Sequence, residues 1–165
     1  MTAVPVIFDV NVLVMAVVIG NSPFGSWPSP PPTSGNPAAD SLGVINDAEE
    51  FALWLSPHIL DNTGRVLAKN YGWPDTDVDR YLNLLMRLAE HSGGATVDPP
   101  ATVKDCHDWE DNRILDLVVE VGAYMLVSED TDLTAMSPWR GVPILRPRQF
   151  ADRIDAMRRH HRRQR

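Results

Sequence analysis

Short apolar runs alternate along this chain with helix-length segments, and several of the runs end on an acid. Parallel strands need a crossover connection, and a helix is the usual one, so this order predicts a parallel sheet covered by helices. Val4-Pro5-Val6-Ile7-Phe8 reads as a strand entering a helical pattern over 11–18; beyond a loop come helix 40–50, strand 51–55 and helix 57–70. Segments 76–91 (Val78, Leu82, Leu85, Leu88) and 109–122 (Ile114, Leu117, Val118, Val121) repeat their apolar residues near the helical period. Ala95-Thr96-Val97 is a short strand candidate between them, and the chain closes with strand 124–128, a helical turn near 131–136, strand 142–145 and a helix from about 148. The expected class is α/β.

Gly20 to Gly43 interrupts this order, because its run of prolines removes backbone donors and fixes φ. A loop this long is either a lid or an insertion. Placed after the first helix it can cover a site at Asp9, with Phe24 and Trp27 free to stack on bases. A protein-contact segment is the alternative.

At 18.4 kDa and 44% hydrophobic residues the chain can bury one core without staples. The expected organisation is one domain over 1–150 that carries the loop 20–43, followed by a basic helix or tail over 151–165. Cys106 has no partner for a disulfide, and Cys106-His107 lacks a second pair for structural zinc. Met1-Thr2-Ala3-Val4-Pro5 lacks a basic signal region, and the longest apolar stretch, Val12 to Ile19, is short of a membrane span, so a soluble cytoplasmic protein with no membrane partner is expected. Charge is unevenly placed: residues 146–165 hold eight Arg against Asp152 and Asp155, giving +6, which leaves −13 on the rest of a chain whose total is −7. Acids can collect metal while a basic end meets phosphate; a solubilising end, or docking to an acidic protein, are the alternatives.

Three acidic elements fall where strands end. Asp9-Val10-Asn11 joins the first strand to a helix, where the acid can also be a plain cap. Asp108-Trp109-Glu110-Asp111-Asn112 opens a helix, and an N-cap with a third-position acid has a purely structural reading too. Against that, the apolar face that follows would hold Asp111 rigidly at the sheet edge. Ser128-Glu129-Asp130-Thr131-Asp132 puts three acids in four residues past an apolar strand, where they repel unless a cation or protons neutralise them. The carboxyl edge of an open α/β sheet is where ligands bind, so acids gathered there suggest a divalent-metal site.

Together these elements resemble the PIN-domain ribonucleases, and within them the small, toxin-like (VapC-like) single-domain proteins. The likeness rests on Ile7-Phe8-Asp9-Val10-Asn11-Val12-Leu13-Val14, on Leu55-Ser56-Pro57-His58-Ile59-Leu60 with Val66-Leu67, on Asp108 to Leu115, and on Val127 to Leu133. It implies a Rossmann-like α/β/α sandwich with a central parallel sheet and Mg²⁺- or Mn²⁺-dependent cleavage of single-stranded RNA. It also implies a cognate antitoxin protein and a homodimer formed through helix faces. Asp9, Asp111 and Asp130 map to catalytic, metal-binding acids, with Asp132 as a further metal ligand. Asn11, Asn62, Asn112 and Ser128 stand as supporting residues, and Arg158, Arg159, Arg162 and Arg163 as RNA contacts. Asp9, Asp111 and Asp130 are expected to converge on one cation, and without metal their repulsion should raise at least one carboxylate pKa.

One position departs from the family pattern. The frame set by Ser56-Pro57-His58-Ile59-Leu60-Asp61 puts Asn62 where the family usually has Glu. Asn offers a carbonyl oxygen without charge and cannot act as a base. Asp61 is adjacent, but one helical residue turns about 100°, which points it elsewhere. A catalytically impaired PIN-like module that binds RNA or protein is therefore the competing reading. An unrelated nucleotide-binding protein is disfavoured because no glycine-rich loop follows the first strand. A phosphoacceptor of response-regulator type is disfavoured because no Lys follows the last strands.

Overall fold

The computed structural model describes residues 3–18, 35–47 and 49–164, with no side-chain detail for 157, 158 and 161. The chain runs β1 (Val4–Phe8), α1 (Val10–Val18), α2 (Pro37–Asp47), β2 (Phe51–Trp54), α3 (Pro57–Tyr71) and α4 (Asp75–Ser92). It continues through α5 (Trp109–Val121), β3 (Met125–Val127), α6 (Thr131–Thr134), β4 (Ile144–Leu145) and α7 (Pro147–Arg163). All four strands are parallel, in the order β2-β1-β3-β4, and helices flank the sheet: an α/β sandwich.

The chain first steps from β1 to β2 and then crosses to β3 on the other side of β1. The carboxyl end of β1 beside β3 is therefore the topological switch point, where open α/β sheets bind ligands. Pro5 is tolerated in this central strand for a geometric reason. Its carbonyl accepts from Tyr124 N–H at 2.8 Å, so its missing donor faces the end of the sheet before β3 begins.

Packing fixes the layers. Phe150 of α7 meets Phe8 and Phe51 at centroid distances of 5.5 and 5.6 Å, both tilted edge to face. On the other side fully buried Tyr81 of α4 donates its hydroxyl to Leu13 O at 2.6 Å, tying α4 to α1. Gly64 lets α3 approach α4: a Cβ there would sit 3.1 Å from Val78 Cγ1. Gly94 is tighter still, since a Cβ would meet the Leu53 carbonyl.

Several expected element bounds shift. Helix α2 begins at Pro37, not 40, so residues 37–43 of the expected loop are helical. Asn36 Oδ1 caps it by accepting from Ala39 N–H at 3.1 Å, and its Nδ2 donates to the Met15 and Ala16 carbonyls at 3.2 and 3.3 Å. The rest of that loop from 20 to 34, with Phe24 and Trp27, lies outside the described residues. The expected strand 95–97 reduces to a single parallel bridge, Thr96 to Leu55, beyond the end of β2. Helix α7 runs from the last residues of the expected domain 1–150 into the basic segment 151–165, and its Phe150, Ala151 and Ile154 are core residues. Among the described residues no helix is long and apolar enough to cross a membrane.

Candidate active site

A cavity of about 330 Å³ opens at the carboxyl edge of the sheet, between β1, α3 and α5. Asp9, Asp108, Glu110, Asp111 and Asp130 line it, and Arg65 is the one Lys or Arg among the described residues that line it.

Asp9 is held from four directions. Its backbone N–H bonds Val127 O at 2.9 Å, continuing the β1–β3 ladder by one residue. Oδ1 accepts from Val10 N–H at 2.7 Å, and Oδ2 accepts from Ser128 Oγ at 2.7 Å and, at 3.4 Å, from Asn11 Nδ2. Burial pushes the Asp9 carboxyl up from its ordinary value; Ser128 and Val10 pull the other way, and the Asp130 charge adds to the rise. Fully buried Ser128 also accepts from Asp130 N–H at 3.0 Å, while Asn11 Oδ1 accepts from Glu129 N–H at 3.1 Å. The turn after β3 is thus fixed to the turn after β1.

Asp111 is the third residue of α5, behind the cap in which Asp108 Oδ1 accepts from Glu110 N–H at 2.9 Å. Its carboxyl is pushed up to about 7, first by burial and then by Asp130, Asp108 and Asp9. One raised carboxylate was expected from repulsion; burial is the larger cause.

Asp9, Asp111 and Asp130 therefore face one cavity and sense one another. Yet among the described residues no three acid, histidine or cysteine side chains stand close enough to hold an ion as placed. The shared cation expected from the sequence needs those side chains to close further. Their chemistry fits the task, since hard carboxylate oxygens suit Mg²⁺ and Mn²⁺.

The remaining expected residues divide. Asn62 lines the cavity and Asp61 is exposed outside it. Asp132 is exposed and away from the lining; its N–H donates to Asp130 Oδ1 at 2.9 Å, which caps α6. Asn112 turns aside, bonding the Cys106 N–H at 2.8 Å and the Cys106 carbonyl at 3.0 Å. The basic end is helical: Arg159 pairs with Asp155 at 2.8 Å, Arg162 and Arg163 are exposed, and the side chain of Arg158 lies outside the described residues. Near the site, Arg146 pairs with Glu129 at 3.5 Å.

His58, Arg65 and Tyr71 also line the cavity, and the sequence assigns them no role, while Asp108, expected as an N-cap, lines it too. Asn62 Nδ2 lies 3.2 and 3.1 Å from the two ring nitrogens of His58, and Arg65 donates to both Asn62 Oδ1 and Glu110 Oε1, the latter at 3.2 Å. Burial lowers the His58 pKa, while the Glu110 charge pulls the other way. The spacing 58, 62, 65 marks one helix face and was a usable signal.

A family model of the PIN domain matches residues 5–132. The chain belongs to the PIN-domain family. A search of the curated proteins finds no match. PIN domains are typically nucleases, generally use divalent metal ions and generally bind RNA. The matched span carries every lining residue of the cavity and stops before β4 and α7.

Proposed function

We propose that this PIN-domain protein is a Mg²⁺- or Mn²⁺-dependent endoribonuclease that cleaves single-stranded RNA. We read it as a toxin-like member, cytoplasmic and homodimeric, that a cognate antitoxin protein restrains. The observation that carries the reading is the presence of Asp9, Asp111 and Asp130 on one cavity wall at the switch point of the sheet. These three would hold the metal, which supplies an activated water and neutralises charge on the phosphodiester. Ser128 and Asn11 orient Asp9 and lock the turn that bears Asp130. The Asp111 carboxyl, pushed up to about 7 by burial and by the neighbouring acids, would give up its proton on binding the cation. Arg65 offsets part of the negative field that would otherwise repel RNA.

The competing reading is a PIN-like module that binds RNA or protein without cutting it. Asn62 in the cavity, and the lack among the described residues of three acids within ligating reach, favour it. Incubating the full chain with labelled single-stranded RNA in Mg²⁺, Mn²⁺ or EDTA separates the two. Metal-stimulated internal cleavage that Asp9→Ala abolishes supports the nuclease; RNA retention with no cleavage in either metal supports the module. Growth arrest on expression of the wild-type chain, and none with Asp9→Ala, would support the toxin-like role.

A further inference from the structure

Trp109 is 62% exposed, the largest fraction among the exposed large apolar side chains described. It sits at the rim of the acid cavity, since its neighbours Asp108 and Glu110 both line it. Its indole is not loose: it meets the His58 ring at 5.5 Å between centroids and at 90°. His58 is in turn bonded to Asn62, and Asn62 accepts from Arg65. One polar stripe on α3 therefore positions an aromatic plane and a guanidinium on the same rim. Arg65 and Glu110 are both half-exposed, so their 3.2 Å pair is weak and Arg65 can trade it for another anion. A ring and a cation linked through His58 and Asn62 match a nucleotide of a single strand, whose unpaired base has a free face and whose phosphate takes a planar donor fork.

We propose that Trp109 and Arg65 form a nucleotide subsite at the cavity rim, with Trp109 stacking on one unpaired base and Arg65 binding a phosphate of the same strand. Stacking is indifferent to base identity, so the subsite selects single-stranded over paired RNA rather than one sequence. The choice of RNA rests on the ribonuclease reading, but the subsite itself can be measured without catalysis.

The test uses a fluorescent oligouridylate of eight nucleotides, titrated with the full chain in EDTA at low salt. Trp109→Ala should weaken binding roughly tenfold, by the energy of one base-aromatic stack, and Trp109→Phe should restore most of it. Tyr124→Ala is the control: Tyr124 is 61% exposed but lies at the opposite, amino edge of the sheet, and its loss should change nothing. A set of oligonucleotides with one abasic nucleotide should contain one that binds wild type as weakly as the intact strand binds Trp109→Ala. On that strand the substitution should cost nothing more, a non-additivity that a merely structural role would not produce. Arg65→Gln should weaken binding and make its salt dependence shallower by about one phosphate contact. Equal affinity of Trp109→Ala and wild type, equal losses on intact and abasic strands, or no binding by wild type would each overturn the subsite. Base-dependent coupling to Trp109 in a chain that cuts no RNA would keep the subsite and remove the nuclease reading. Cleavage without the coupling would do the reverse.

Discussion

Ser128 donates its hydroxyl to Asp9 Oδ2 at 2.7 Å across 119 residues of sequence, from a position with no solvent exposure. The same oxygen accepts from Asp130 N–H at 3.0 Å, so one buried hydroxyl sets the separation of two acids on different strand ends. Hydroxyl groups of this kind hold ligands in place without touching the metal, and their loss typically lowers metal affinity or activity 10- to 100-fold.

Ser128→Ala should therefore reduce Mn²⁺ affinity and RNA cleavage by about that factor. It should also destabilise the chain by about 2 kcal/mol, because Asp9 loses a hydrogen bond to a charged group. Without Ser128 the Asp9 carboxyl should rise further, since that hydroxyl is the largest influence lowering it. Calorimetric Mn²⁺ titration and urea unfolding read the two effects separately. Wild-type metal affinity in the variant would show that Ser128 only packs.

Asp111 makes the metal-free protein sensitive to pH. Its carboxyl is pushed up to about 7 in the folded chain, against roughly 4 for an aspartate in an unfolded one. Between those values the folded state holds a proton that the unfolded state has lost. Its contribution to stability is thus complete below about pH 4 and declines as pH rises to about 7. In EDTA, Asp111→Asn should flatten that part of the Tm profile and raise Tm at pH 8 relative to wild type. Parallel profiles for the two proteins would refute the assignment.

The long periodic helices were the most legible part of the chain: segments expected at 57–70, 76–91 and 109–122 form Pro57–Tyr71, Asp75–Ser92 and Trp109–Val121. Each buries a continuous apolar face, and that period is written directly in the residues. The start of α2 was not legible. Asn36-Pro37 is an N-cap followed by a first-turn proline, yet among five other prolines the pair reads as loop. The acids were legible as a group because they sit at strand ends, but their division of labour was not. Asn112 and Asp132 look as eligible as Asp111 and Asp130 until side-chain directions are known. Asp116, an acid with no place in the sequence reading, is a structural anchor. Burial would raise its pKa, but the N–H groups of Val103 and Thr102, together with Arg113, lower it overall and fasten the segment before α5.

The basic end of α7 is set apart from the cavity. Arg146 stands beside Glu129 at the site, and by helix rise Arg158 to Arg163 lie roughly 20 Å further along the axis. Deleting residues 158–165 should weaken binding of long RNA and make its salt dependence shallower. Binding of an eight-nucleotide strand should change little. An equal loss for both lengths would place the tail at the cavity, and no loss for either would assign it to another role.

Asn62 joins His58 to Arg65 on the cavity lining without adding charge. The resemblance to the PIN ribonucleases implies a glutamate at this position, and Asn62→Glu would bring a further hard oxygen ligand to the cavity that Asp9 and Asp111 line. The same carboxylate would lie three residues before Arg65, whose guanidinium already donates to the Asn62 amide oxygen, and an ion pair at that spacing forms readily on a helix. Two consequences follow with opposite signs. Mn²⁺ affinity and metal-dependent cleavage should rise, while binding of the eight-nucleotide strand in EDTA should fall because Arg65 is drawn from phosphate. The double variant Asn62→Glu/Arg65→Gln separates them: it should keep the gain in Mn²⁺ affinity and bind metal-free RNA no better than Arg65→Gln alone. If neither variant binds Mn²⁺ more tightly than its parent, the introduced carboxylate does not reach the ion. The metal would then depend on Asp9, Asp111 and Asp130 alone, and this face of α3 would serve RNA rather than metal.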